Sequence, residues 1–398
     1  MPKHTPFHSR TSALSQGESW QDWSGYVTPA MYELDHIHEY NTIRMGSALF
    51  DISPLFKYFV RGRDAEALLD RVVLRDVSRC RAGQVIYTGW CDDDGKIIDD
   101  GTIARLSDDC FRVTAAIPTF SWLEDNATGF DVEIEDATDA YGALALQGPT
   151  SRDLLQQLAD ADLSGLGYFH VVETKLAGAP TSVARTGYTG DLGYEIFVEP
   201  QHAEALYDAI FETGEGYQLM PAGNVALDMA RIEAGLLLID VDFQSSVKVI
   251  FDLQRSTPYE LGLGWMVKLD KPYFVGQEAL RAEKQRGPAW ATVGLELDLT
   301  ALEKLYGRFS MPLHLPYASW GAQLPIYADA GKRDHIGRAT SGTWSPVMKR
   351  YVVIARVQPR YAKLGTRVYF EETIEAERLA VPATVVEMPF FDPPRKKA

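Results

Sequence analysis

The stretch that most restricts the fold of this chain is Tyr87 to Asp100, Y-T-G-W-C-D-D-D-G-K-I-I-D-D. An aromatic, apolar run enters an acidic turn at Asp92-Asp93-Asp94-Gly95, and an Ile97-Ile98 pair leaves it. Asp-Gly between β-prone runs is a strong hairpin signal, because glycine accepts positive φ without steric cost. An antiparallel strand pair is therefore expected here, and its second strand delivers two adjacent carboxylates, Asp99 and Asp100. Two carboxylates on a hydrophobic strand repel each other and lose hydration when buried, so a purely structural strand has little use for them. The plain alternative is a strand end carrying solvated charge.

Around this hairpin, short β-prone runs alternate with helices, without regular βαβ units, which predicts an α+β fold. Periodicity places helices over 31–45, 65–73, 151–158, 201–213 and 224–234, with Asp64 capping the second and Gly235 closing the last. Strands are expected over 48–52, 59–64, 85–90, 96–105, 110–115, 131–136, 141–146 and 181–184, and a polar surface loop over 248–259. Beyond Gly287-Pro288 the pattern becomes short β runs with little helix signal, which reads as a separate all-β barrel or jelly-roll domain.

At 398 residues the chain exceeds one ordinary domain. A net charge of −16 argues against nucleic acid as a partner. Cys80, Cys91 and Cys110 lie in no metal-ligand spacing and fit a reducing compartment. No apolar leader core opens the sequence and no window is long enough to span a bilayer, so a cytoplasmic protein free of membranes is expected.

Several familiar sites are excluded. Gly187, Gly190 and Gly193 are spaced G-x-x-G-x-x-G and precede a strand pattern, which departs from the dinucleotide fingerprint in spacing and in context. If Asp92, Asp94 and Gly95 took loop positions of a calcium site, Trp90 and Gly101 would fall where ligands are required. No nucleophile-elbow motif occurs, and His36 and His38 would lie on different faces of a helix. Glu195 stands out in G-Y-E-I-F-V: Tyr194, Ile196 and Val198 would share one strand face, leaving Glu195 with Phe197 on the other. A carboxylate among apolar neighbours needs donors, and a flat heterocycle with a guanidine-like edge supplies two. Arg231, on a helix of mostly apolar or small residues, suits either a ligand carboxylate or an acidic side chain from another segment.

Taken together, Y-x-x-x-x-D-x-x-G-x-I-I-D-D (Tyr87 to Asp100), A-L-Q-G-P (Ala145 to Pro149), R-T-G-Y-T-G-x-x-G-Y-E (Arg185 to Glu195), P-A-G-x-x-A-x-D-x-x-R-I-E-A-G (Pro221 to Gly235), L-G-W-x-V-x-L-D-K (Leu263 to Lys271) and T-S-G-x-x-S-P (Thr340 to Pro346) resemble the glycine-cleavage T-protein family of aminomethyltransferases and related demethylases. The resemblance implies a three-lobed cloverleaf: a folate-binding α+β lobe from residues 1–52 and 140–285, a second α+β lobe over 53–139 carrying the Asp100 hairpin, and a β-barrel over 286–398. It implies tetrahydrofolate as cofactor and one-carbon transfer to its N5. Asp100 would then stand at the reacting end, Glu195 would hold the pterin edge, Tyr87 would line the channel, and Arg231 would fix the folate or its anionic tail.

Departures from the family pattern point to a branch. Phe50-Asp51-Ile52-Ser53-Pro54-Leu55-Phe56 stands where T-proteins read F-D-V-S-H-M-G, and Pro389-Phe390-Phe391-Asp392 places an acid where an arginine is usual. These changes argue against a lipoyl carrier protein as partner. T-P-F-H-S-R (Thr5 to Arg10) and M-P-F-F (Met388 to Phe391) are similar to folate-dependent demethylases, particularly the dimethylsulfoniopropionate type. A small methylated donor is therefore expected. An onium donor would suit aromatic side chains, with Trp20, Trp23, Tyr26 and Tyr188 as candidates, whereas an aryl methyl ether would need a proton donor for its phenolate. The alternatives are a true glycine-cleavage aminomethyltransferase, and a folate-binding accessory protein without turnover. The second carries K-G-C-x-x-G-Q-E, and here Lys271 to Glu278 reads K-P-Y-F-V-G-Q-E without the cysteine.

Overall fold

The computed structural model describes residues 2–398 and builds the chain on two large sheets, a two-stranded sheet and a barrel. A six-stranded sheet runs in the order Val171–Leu176, Ala179–Ala184, Gly193–Val198, Gly142–Gln147, Ser47–Asp51, Leu219–Pro221. A five-stranded antiparallel sheet runs Val85–Cys91, Ile97–Ser107, Cys110–Ala115, Phe56–Arg61, Glu133–Asp136. Strands Ala291–Leu297, Trp320–Tyr327, His335–Ser345, Arg350–Val357, Arg367–Ile374 and Glu377–Val386 close the C-terminal barrel. This is the expected α+β architecture.

The hairpin forms as its turn chemistry dictates. Gly95 takes φ +70°, and the Asp92 carboxylate accepts the amides of Asp94 and Lys96 at 3.1 and 3.0 Å. Gly89 then lies opposite Asp100 and Trp90 opposite Asp99. Strand alternation sends Asp99 and Asp100 to opposite faces. Ile86, Ile103 and Val113 pack with Asp99's face into the core, while Tyr87, Asp100, Thr102 and Arg112 share the other.

In the six-stranded sheet, Tyr194, Ile196 and Val198 enter a core with Leu144, Leu146 and Leu206. Phe197 packs on the opposite face with Phe50 and Ala145, and that face carries Glu195, which lies opposite Ala184 and Ala145. The two sheets meet where Val85 and Ala104 pack on Val171 and Ala184, and the Val85 amide donates to the Phe169 carbonyl at 2.8 Å. Asp100's face and Glu195's face are thereby turned toward each other.

Three local expectations need correction. The helix expected from residue 31 begins at His36, because Tyr26–Met31 is a strand paired with Ser19–Trp23; Asp35 caps the helix through the Ile37 amide at 2.7 Å. Asp64 precedes its helix without capping it, since its carboxylate accepts the Asp131 amide at 2.9 Å instead. The barrel region contains a helix, Leu299–Gly307, whose Leu302 and Tyr306 enter the barrel core. Leu237, Phe243, Leu261, Met266, Phe274 and Leu280 pack with the five-stranded sheet in a core that Ile232 of the helix Asn224–Glu233 also joins.

Candidate active site

Asp100, Tyr87 and Tyr188 gather on the inner face of the hairpin. The Tyr87 hydroxyl donates to Asp100 Oδ2, and the Tyr188 hydroxyl donates to the Leu237 carbonyl at 2.5 Å. Trp265, half exposed, lies 6.3 Å from the Tyr87 ring, with the Arg75 guanidinium 5.5 Å above its indole. Asp100, Tyr87, Tyr188 and Glu195 keep part of their surface accessible while densely surrounded by protein, which describes the wall of a narrow crevice.

Burial pushes the Asp100 carboxyl up to about 6, against the Tyr87 hydrogen bond that favours its anion. Burial likewise holds both tyrosines well above the usual phenol range, so they remain neutral donors. Asp99 differs: fully buried on the far face, it accepts the amides of Ala116 and Ile117 at 2.9 Å each and that of Asp100 at 2.9 Å. Its role is to pin the Ala115–Ile117 turn to the hairpin.

Across the crevice, Glu195 accepts the Thr186 hydroxyl at 2.7 Å through Oε2, and its Oε1 has no partner among the described residues. Burial raises its carboxyl, opposed by Thr186 and by Arg112. Arg112 comes from the facing sheet and was missed from sequence. Its guanidinium lies 3.6 Å from the Phe197 ring centre and is buried, and its Nε has no hydrogen-bond partner among the described residues. Burial lowers Arg112 to about 10, opposed by Glu173 and Glu195. The signal was an arginine alternating with apolar residues on a strand, F-R-V-T. The crevice thus sets a carboxylate with one oxygen unpaired among the described residues beside a buried guanidinium.

The glycine spacing over 187–193 follows from Gln147 in A-L-Q-G-P. Its amide nitrogen donates to the carbonyls of Thr186 and Tyr194 at 3.3 and 3.5 Å, and its oxygen accepts the Thr189 hydroxyl at 2.9 Å. A Cβ at Gly187 or Gly193 would overlap that amide. The two motifs are therefore one packed unit that sets both Tyr188 and Glu195. Gly193→Ala is expected to cost about 1–3 kcal/mol by overpacking, read as a lowered midpoint in urea.

Of the two partners that the sequence leaves open for Arg231, the structure shows acidic side chains of the protein itself. Its side chain is fully buried; it donates to Asp228 at 2.6 Å, to Asp242, and to the Leu236 carbonyl at 3.0 Å, which leaves only Nη2 without a partner among the described residues. Asp242 in turn accepts the hydroxyls of Thr340 and Ser341 at 2.5 and 2.7 Å and the Leu238 amide at 2.9 Å. The charge expected to meet a ligand's anionic tail is committed to the protein's own carboxylates, and the assembly fixes the Leu236–Leu238 segment that holds Tyr188.

The first aromatic group also stands elsewhere. Tyr26 donates to Asp139 and lines a separate cavity of about 310 Å³ with His4, Thr5 and Tyr141. Trp20 lies 5.6 Å from His8, and Trp23 packs against the cluster of Phe50, Ala145 and Phe197. The Ser19–Trp23 strand places these rings by pairing with Tyr26–Met31; of the four aromatic candidates Tyr188 lies beside Asp100, and Trp23 packs with Phe197 on the face that carries Glu195.

Comparison with known proteins places the chain. Residues 8–271 match the GCVT N-terminal domain and residues 318–392 the glycine cleavage T-protein C-terminal barrel domain. The chain belongs to the glycine cleavage T-protein family. It is 32% identical over 381 residues to an aminomethyltransferase of Caldanaerobacter subterraneus subsp. tengcongensis, covering 94% of this chain and 93% of that one. It is 33% identical over 401 residues to an aminomethyltransferase of Streptomyces avermitilis, covering 98% and 99%. A trimethylamine-oxide aldolase of Ruegeria pomeroyi is 33% identical over 418 residues, covering all of this chain, which spans 48% of that relative's length. The crystal structure of glycine cleavage system aminomethyltransferase T from Bartonella henselae shares the fold, with a TM-score of 0.82 over 98% of this chain and 99% of that one, at 24% identity. Tetrahydrofolate and one-carbon metabolism are typical of the family.

Proposed function

We propose that this protein is a tetrahydrofolate-dependent one-carbon transferase that takes a methyl group from a small methylated donor. The observation that carries this reading is the pairing of Asp100 on one sheet with Glu195 on the facing one, each carboxylate keeping an oxygen without a protein partner among the described residues. Tetrahydrofolate, when bound, supplies a nucleophilic nitrogen that accepts the one-carbon unit. A pterin edge presents donors beside an acceptor oxygen; Glu195 Oε1 suits the donors and the Arg112 guanidinium beside it suits the acceptor. Asp100 holds negative charge where a transferring nitrogen gains positive charge, and the low-polarity walls from Tyr87, Tyr188 and Trp265 strengthen that interaction. Holding the reactants in line supplies much of the remaining rate.

The departures at Pro54 and Asp392 support a small donor over a carrier protein. Thr5 of T-P-F-H-S-R donates to the buried Asp51 carboxylate at 2.5 Å, so the two demethylase-like and divergent segments are joined in one structure. A second reading, aminomethyl transfer in glycine cleavage, is favoured by the names of the two full-length relatives. Purified protein incubated with tetrahydrofolate and a panel of sulfonium, betaine, N-methyl and aryl methyl ether donors separates the two. Methylated folate from one of these donors supports the proposal; turnover only with aminomethylated lipoyl protein, releasing ammonia, overturns it.

Three further outcomes follow. Glu195→Gln is expected to weaken tetrahydrofolate binding about 10–100-fold, the loss of a charge-assisted contact, measured by calorimetry. The Asp100 anion is the working form, and its raised pKa means that protonation removes it as pH falls; kcat/KM therefore declines below about pH 6. Tyr87→Phe deletes the hydrogen bond that stabilises the anion, so the acid limb moves to higher pH.

A further inference from the structure

The mouth of the C-terminal barrel contains a cavity of about 280 Å³ that the crevice chemistry does not use. Tyr306, Trp320 and Tyr351 supply aromatic walls, and Glu372 supplies a carboxylate. The carboxylate is out of place for a structural strand. Along Arg367–Ile374, Val368, Phe370 and Ile374 point into the barrel core, and Glu372 occupies the same alternating row. A barrel interior position is ordinarily filled by an apolar side chain.

Glu372 is half-buried and has neither a hydrogen bond nor an ion pair among the described residues, although its neighbour Glu371 reaches Tyr327, Lys332 and Arg378. It lies close enough to Tyr306 and Tyr351 for its charge to act on both phenols. Burial raises its own carboxyl, the response of a group that lacks a compensating cation. The Trp320 indole N–H is occupied, donating to the Tyr351 hydroxyl at 2.8 Å, and this bond fixes the two rings relative to each other. The walls therefore offer ring faces, the His314 imidazole among them, and one negative charge.

That combination recognises a particular ligand class. Aromatic faces attract cations through their quadrupoles, most strongly when the cation is weakly hydrated, and a carboxylate without a partner adds direct charge. An ammonium with several N–H groups would need acceptors to replace its water, and the wall presents few. We propose that the barrel mouth formed by Tyr306, Trp320, Tyr351 and Glu372 is a binding site for a small methylated onium cation. The volume lies below that of sites for drug-sized ligands and matches a headgroup of this size. The site shares no residue with the inter-sheet crevice, and it is tested without folate, so it stands or falls independently of the proposed transfer activity.

The test is calorimetric titration of the full chain with choline and with 3,3-dimethyl-1-butanol, its neutral carbon isostere, with tryptophan fluorescence as a second readout. Saturable choline binding at one site, at least tenfold tighter than the isostere, is the expected result. Glu372→Gln, which keeps the side-chain shape, is expected to weaken choline at least tenfold, and Trp320→Leu to do the same while removing the fluorescence change. Asp100→Asn is expected to bind choline as wild type does. Absence of saturable binding, equal affinity for the isostere, or wild-type affinity in Glu372→Gln would overturn the proposal, as would loss of binding in Asp100→Asn. If Glu372→Gln does not fold, the comparison of choline with its isostere on the unaltered chain still decides.

Discussion

Asp100→Ala is expected to lower kcat for one-carbon transfer by about 10²–10³-fold while leaving the fold intact. The magnitude is that of removing one preorganised electrostatic contact from a water-poor site, and the partners explain why stability is spared. Among the described residues Asp100 accepts only the Tyr87 hydroxyl, and no cation pairs with it. Deleting it relieves repulsion toward Asp99 and removes a carboxylate that burial already disfavours. A steady-state comparison with the winning methyl donor, alongside a urea melt, checks both halves. Activity within a few-fold of wild type would remove Asp100 from the reaction. The matching change at Asp99 has the opposite profile, because three backbone amides lose their acceptor there.

Arg231→Ala is expected to destabilise the protein by about 3–5 kcal/mol, the cost of leaving buried carboxylates without their cation. Asp242 would be stranded, and with it the hydroxyls of Thr340 and Ser341 that bond to it. Equilibrium urea unfolding measures the loss. A variant of wild-type stability that has lost only folate affinity would instead return Arg231 to the role that its motif implied.

The contrast between these two residues marks what could be read from sequence. Asp100 was legible because strand alternation is strictly twofold: once the turn was located, Asp99 and Asp100 had to part. Glu195 was legible for the same reason, its face set by Tyr194, Ile196 and Val198. Arg231 was legible only as a choice between a ligand and an acidic side chain, because its partner Asp242 lies on an irregular segment whose path no periodicity encodes. Arg112 was overlooked because its significance depends on a second sheet folding over it, a long-range fact absent from F-R-V-T alone. The early aromatic residues misled through composition: Trp20 and Tyr26 are close in sequence to a demethylase-like segment, yet their hairpin directs them away from Asp100. The helix Leu299–Gly307 was hidden among β-prone neighbours, and its cap, Asp298 accepting the Ala301 amide at 3.0 Å, was the signal available.

The Asp242 junction bears on cooperativity. One carboxylate joins hydroxyls of the barrel, an arginine of the helix Asn224–Glu233 and the backbone beside Tyr188. Detaching the barrel would expose none of these groups to an adequate substitute partner until the junction hydrates as a whole. The lobes are therefore not exchangeable cassettes, and heating should melt the chain in a single calorimetric transition whose enthalpy matches its van't Hoff value, with no stable fragment surviving removal of residues 286–398.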